Sequence, residues 1–294
     1  MQQRPVIGIL AGVAAYTIYG LNVVFCKDLT NTELVSPIVL FSIRTGGAAL
    51  LFWLISLFLP KEKMAVKEIL LAFLASTLCI IIPQYSTLIG ITMSTPYDAS
   101  MISTLKPVLT LAVAFILGRE RFRFSLLLGV LLTFAGAVIL MFKPLDGDAA
   151  FTTSPAGFII LLLNGISFAF YLVLFRDFIS RHMIVSLMKW MFLFSFIVSL
   201  AVSGPQLAST HYSAFNPQMI REIVFLVLFA TFISYFLLPI GQRNLTSTQY
   251  SLLSYVQCIV AAIVGYFMGL ESLDAQKILA SAFFIAGVII VRRS

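Results

Sequence analysis

The chain has 294 residues, of which 60% are apolar and only 11% charged, against roughly 25% charged in soluble domains. A soluble sphere of that length has more surface than so few polar side chains can cover, which excludes a water-soluble globule and points to a lipid-embedded protein. The net charge of +7 is scattered in ones, twos and threes between apolar runs, with no basic face interleaved with stacking aromatics. That excludes a nucleic-acid surface and fits topogenic charge at membrane edges.

Crossing a core of roughly 30 Å takes about 20 helical residues, and ten apolar runs meet that length. The expected class is therefore an all-α membrane protein with ten transmembrane helices. The first, Pro5 to Cys26, is too long for a signal core and ends without an A-x-A-like cleavage site. Bulky Phe25 before Cys26 also makes a poor lipidation box, so this run is expected to remain a helix. The second, Pro37 to Leu59, carries Arg44, and the third, Val66 to Gly90, contains Pro83, Gln84 and Tyr85. The fourth, Tyr97 to Gly118, places Lys106 and Pro107 side by side in "STLKPVLTLAVAFIL". Phe124 to Phe142, Pro155 to Phe175 and Ile184 to Ser203 follow, then Ile220 to Gly241, Ser247 to Gly269 and Ala275 to Val291. Connections such as "KDLTNTE", "PKEK" and "GLESLD" are short, so no soluble domain is expected between spans.

With the N-terminus in the cytoplasm, 13 Lys and Arg fall on the inner side and four, Lys27, Lys143, Arg221 and Lys277, on the outer side. The positive-inside rule then predicts a plasma (inner) membrane protein with both termini cytoplasmic. Cys26, Cys79 and Cys258 lie in apolar runs without a CxxC pattern, and His182 and His211 sit in different loops. Neither a disulfide framework nor a metal site is expected, and no cofactor.

The chain also repeats itself. "ILGRERFRFSLLLGVLLTFAGAVIL" aligns with "FMGLESLDAQKILASAFFIAGVIIV" at an offset of 151 that superimposes Gly118 on Gly269, Glu120 on Glu271 and Gly136 on Gly287. The same offset carries Gly90 onto Gly241 and Ser100 onto Ser251. Two homologous five-helix repeats are expected, residues 1–148 and 149–294. Because five is odd, the second enters the membrane inverted, and such halves can exchange conformations around a midplane site.

The five-plus-five plan, Arg44 in "FSIRTGGAALLF", the "LKPVLTLAVAFILGRE" run and its "GLES" echo together resemble the drug/metabolite transporter superfamily, in its ten-helix EamA-like branch. The resemblance covers essentially the whole chain. It implies a basket-like bundle whose central cavity is lined by the first, third, fourth, sixth, eighth and ninth spans. It also implies export or exchange of amino acids, metabolites or small drugs.

Lys106 lies nine residues from Tyr97, about 13 Å into its span and close to the midplane. A cation there costs roughly 2.5–3.5 kcal/mol if it faces lipid, so Lys106 is expected to face protein or water. Pro107 has no N–H for the Ser103 carbonyl, so the helix should bend there and expose an acceptor. The spans offer almost no carboxylate to neutralise the lysine, since Asp98 is near a helix end and Glu120 and Glu271 are at turns. A small solute with an anionic group is therefore the expected partner of Lys106, besides the lipid bilayer itself. Absence of a midplane acid also suggests facilitated transport, exchange, or proton linkage through Lys106 itself.

Gln257 is the repeat partner of Lys106. Gln84, Tyr85, Tyr235 and Tyr255 add uncharged hydrogen-bonding groups, as do Tyr16 and Asn22 on the first span and Asn164 and Tyr171 on the sixth. Together they suggest a polar, aromatic-walled site. Pro83 and Pro107 are expected to kink helices, and Arg44, Glu120 and Glu271 to be structural, while Lys189 snorkels to an interface. GxxxG spacing at Gly8/Gly12 and Gly265/Gly269 permits close helix packing or a homodimer. A lipid-headgroup flippase is the nearer rival function. A Ser103–Lys106 hydrolase lacks the companion S-D-N and K-T-G motifs, and a channel lacks any filter motif.

Overall fold

The computed structural model describes residues 5–103, 105–118, 153–245, 253–270 and 275–292, with scattered positions between 124 and 139. All regular structure among them is helical. Most of the expected fifth span, Phe124 to Phe142, and the start of the ninth lie outside the described residues. Seven described helices are long and apolar enough to cross a bilayer: Val6–Asn31, Pro37–Ser56, Val66–Thr92, Pro96–Ile116, Pro155–Leu174, Ile184–Ser209 and Pro217–Gly241. The chain is a multi-pass membrane protein.

Helix α1 spans Pro5–Asn31, five residues beyond the boundary set by hydropathy, which loses the trail at the charged residues of "KDLTN". Those residues stay helical because Lys27 Nζ donates to the Ile91 carbonyl at 2.9 Å and caps a neighbouring helix end. Helix α2, Pro37–Ser56, starts at Pro37, with the Ser36 hydroxyl accepting from the Val39 amide. The third span is one run of α3 (Val66–Ser76), a π-helical turn (Thr77–Ile81) and α4 (Ile82–Thr92). The fourth is broken into α5 (Pro96–Ser103) and α6 (Lys106–Ile116). After it come α7 (Pro155–Leu174), the short α8 (Arg176–Arg181) and α9 (Ile184–Ser209). Next is α10 (Pro217–Val227), a second π-helical turn (Leu228–Ile233) and α11 (Ser234–Asn244). Helices α12 (Ser254–Phe267) and α13 (Ala275–Arg292) complete the described chain.

Local geometry follows the 151-residue spacing closely. Adding 151 to the bounds of α3 returns those of α10, and the π turn at 77 maps onto the π turn at 228. A π turn needs an extra residue per turn and is costly, so its occurrence at matched positions reflects a shared backbone plan. Gly118 and Gly269, also 151 apart, end α6 and α12 with φ of +67° and +69°. Only glycine enters that region without a Cβ penalty, although a Cβ at either site would meet open space. Gly118→Ala and Gly269→Ala are each expected to cost about 1 kcal/mol, read as a lowered unfolding midpoint in detergent.

Helix pairing has a matching pattern. α1 packs on α11 and α12, while α7 packs on α4 and α6. α2 and α9 form a long antiparallel seam in which Ser36 pairs with Gln206, Ser42 with Ser203, Thr45 with Ser199, and Phe52 with Phe192. Hydroxyl pairs on this seam satisfy each other, and Gly46 lets the Phe196 ring lie against the α2 backbone. Gly8 packs against Asn244 and Leu245 of the same chain, so its small-residue surface is used internally.

At one end of the bundle, Glu62 accepts from the Met183 amide at 3.0 Å and its other carboxylate oxygen lies 2.9 Å from His182 Nδ1. Glu68, in the first turn of α3, approaches His182 Nε2 at 3.6 Å. Partial burial alone would raise the Glu62 carboxyl, but hydrogen bonds from His182, Met183 and Ser186 outweigh it and hold the group below its ordinary value. A depressed carboxyl contributes stability above the ordinary carboxylate range, and loses it as pH falls through the lowered value. Thermal unfolding in detergent should therefore weaken below about pH 4, and Glu62→Gln should flatten that acid dependence.

Candidate functional site: a lysine at a helix break

The fourth span, Pro96–Ile116, has 21 residues, and Lys106 is the eleventh, with ten on either side. The helix fails there because Pro107 brings no N–H to the Ser103 carbonyl; the Leu105 amide instead turns tightly onto Ile102 O at 3.0 Å. Lys106 thus opens α6 at the centre of the span. Its Nζ stands 5.2 Å from the Phe168 ring centroid on α7, within cation–π range. Gly165, one turn earlier on α7, lies against Leu109 Cδ1 and the Lys106 stem, where a Cβ would come 2.6 Å and 3.9 Å from them. The lysine is half-buried, and among the described residues no carboxylate lies within 4.0 Å of its nitrogen.

Beside it, the third span supplies a second irregular backbone. Pro83 cannot donate to the Cys79 carbonyl, and the π turn loosens the same stretch. Acceptors there are met by side chains from the other half of the chain: Ser167 Oγ donates to Leu78 O at 2.9 Å and Tyr235 Oη to Cys79 O at 3.3 Å. Asn164 Nδ2 donates to Pro83 O at 3.1 Å and also to Thr87 Oγ1. Gln84 Nε2 donates to Tyr235 Oη at 3.3 Å. Gln84 and Tyr235 are 151 residues apart, so two repeat-equivalent positions touch each other.

The Cys79 thiol meets the Tyr171 hydroxyl and lies in the field of the Lys106 ammonium. Tyr171 packs its ring on Phe168 at 5.8 Å and Tyr235 packs on Phe192 at 5.1 Å. Lys106, Gln84, Asn164, Tyr171 and Tyr235 therefore share one neighbourhood around Cys79 and Phe168. Neither of those two stood out in the sequence, because a cysteine or phenylalanine in an apolar run has the appearance of ordinary packing.

The remaining candidates are placed elsewhere. Tyr85 is half-buried with its ring 6.0 Å from Phe41, and Tyr16 packs with Tyr19 beside Leu238. Gln257 is buried on α12 with its backbone carbonyl against Gly20 of α1. Asn22 is buried and accepts from the Cys26 thiol at 3.8 Å. Arg44, also buried, donates from Nε to Thr231 Oγ1 at 3.0 Å and from Nη1 to Cys26 Sγ at 3.5 Å, tying α2 to α1 and to the second π turn. Lys189 sits over the Trp53 ring at 5.0 Å. Glu120, Glu271 and the side chains of Tyr255 and Pro107 lie outside the described residues. Ser103 Oγ donates to Ala99 O at 3.0 Å along its own helix.

The profile of the EamA-like transporter family matches this chain twice, over residues 6–142 and 155–293. A Bacillus subtilis (strain 168) protein named uncharacterized transporter YdfC is 25% identical over 258 residues, covering 85% of this chain and 79% of that one. A solved crystal structure superimposes with a TM-score of 0.65 over 99% of both chains at 16% identity, which is a likeness of fold.

Proposed function

The chain belongs to the EamA-like transporter family, and from that premise we propose that it is a secondary transporter of a small organic solute carrying an anionic group, a metabolite or an amino acid. Lys106 carries the reading: a cation at the centre of a span, on a broken helix, with an aromatic face on one side and no carboxylate partner among the described residues. Such a group is held in the membrane at a cost, and an anionic cargo offsets that cost when it binds. Gln84, Tyr171 and Tyr235 supply uncharged donors for the rest of the solute.

Two inverted five-helix repeats, residues 1–148 and 149–294, would alternate access to this site. The matched π turns, the paired left-handed glycines, the antiparallel α2–α9 seam and the Gln84–Tyr235 contact support that arrangement. A contact between repeat-equivalent residues is expected on a pseudo-twofold axis, and the Gln84–Tyr235 contact supports an axis beside Lys106. The end bearing Glu62 and His182 would face the cytoplasm, with the protein in the plasma (inner) membrane. The Ser103 hydroxyl is engaged by its own helix, which favours transport over a serine–lysine hydrolase.

The test is exchange in proteoliposomes loaded with a panel of unlabelled amino acids and small carboxylates, reading uptake of each labelled counterpart against protein-free vesicles. Uptake of anionic solutes, with cationic analogues excluded, is the expected result. Selective uptake of cations would overturn the reading.

A further inference from the structure

The end of the bundle opposite Glu62 contains a pair of acids that the solute site does not use. Asp28 lies in the last turn of α1, and Glu222 is the sixth residue of α10, in two helices that pack together. One side-chain amide serves both: Gln218 Nε2 donates to Asp28 Oδ2 at 3.1 Å and to Glu222 Oε1 at 3.0 Å. Glu222 is 6% exposed, and its second oxygen, Oε2, is buried with no hydrogen-bond partner among the described residues. The two carboxyl groups are also within hydrogen-bonding range of each other. Two carboxylate oxygens can bond only when one carries a proton, since an ionised carboxylate accepts and never donates.

We propose that Asp28 and Glu222 form a proton-binding site, one proton held between two carboxyl groups, that couples proton movement to the solute cycle. This rests on the transport reading above. The charged groups that face the pair fit a site of variable occupancy. Arg221, on the same helix, acts on Glu222 at a distance, and the Cys26 thiol, which accepts from Arg44 of α2, lies in the field of both Arg44 and Glu222. Arg44 spends its identified hydrogen bonds on Thr231 and Cys26, and no salt bridge to either acid is formed among the described residues. Neutralisation of the pair is therefore left to protons.

Position favours coupling. The pair joins a helix of the first half to a helix of the second, so a shared proton would hold the two together, and two bare carboxylates would press them apart. Further inward, Arg44 bonds Thr231, one turn before Tyr235, and Tyr235 meets Gln84 in the neighbourhood of Lys106. The arrangement is one-sided: the residue 151 before Glu222 is Leu71, which is exposed on the bundle surface. Among the described residues the repeat position of Glu222 therefore carries no acid, so the pair marks one end of the bundle.

Infrared difference spectroscopy on the full-length protein in lipid vesicles, stepped through pH, reads the proton itself. The wild type should show a protonated-carboxyl C=O band that disappears as pH rises. Glu222→Gln should lose it, Asp28→Asn should move its frequency because the bonding partner has changed, and Asp98→Asn, altering a buried acid elsewhere, should leave it in place. Identical spectra for wild type and both Glu222→Gln and Asp28→Asn would overturn the proposal. Coupling is read separately with pyranine inside the vesicles and the solute panel outside. Glu222→Gln should keep solute exchange and lose the pH change; retention of that pH change overturns coupling. If the wild type exchanges none of the panel, the solute reading fails, and the infrared band still decides the proton site.

Discussion

Lys106→Met is expected to lower exchange of anionic solutes by about tenfold to a hundredfold, the range set by losing one charge-assisted contact of ~1.5–3 kcal/mol. Methionine keeps the length and apolar stem that lie against Leu109 and Gly165, so packing on α7 is preserved while the charge is lost. Because no carboxylate among the described residues depends on this cation, the variant should unfold at or above the wild-type temperature. That separates a binding role from a structural one. Lys106→Arg should recover only part of the exchange, since a planar fork does not present charge as a compact ammonium does. Unchanged exchange of anions in Lys106→Met would remove the anchor from the mechanism.

The second large effect is expected at Gly20, where α1 passes α12 at backbone distance. A Cβ there would stand 2.7 Å from Val260 Cβ and 2.8 Å from the Gln257 carbonyl oxygen. Both are part of, or attached to, the α12 backbone, so relief requires the helix to move. Gly20→Val should cost about 1–3 kcal/mol and lower the unfolding midpoint in detergent by several degrees. It should also depress exchange, because α12 packs on α5, the first half of the broken span that carries Lys106. Gly204→Ala is the control: a Cβ there meets nothing within 4 Å, and the helix should be unharmed.

Much of the architecture was legible from patterns that lipid imposes. The seven described spans start within three residues of their predicted positions, because hydrocarbon tolerates few breaks in apolarity. Ends were less legible. Lys27 and Asp28 were read as loop residues because they are charged, whereas their partners on α4 and α10 keep them helical. The carboxyl pair was hidden as well: Glu222, near the start of its span, was not singled out, and only packing against α1 shows it buried. The π turns had no signal in composition, since "TLCII" and "LFATFI" read as plain helix.

The sequence by itself determined the membrane class, the position of Lys106 at the centre of its span, the break at Pro107 and the 151-residue periodicity, because each is set by covalent chemistry, chain length or the cost of charge in lipid. Only the tertiary structure decided which side chains meet. Gln84 finds Tyr235, Tyr235 answers the carbonyl that Pro83 leaves without a donor, and Asp28 and Glu222 share one amide, although nothing in linear order brings these residues together. Between helices in lipid, water does not compete for such groups, so partners are chosen by where close packing of small residues allows backbones to approach.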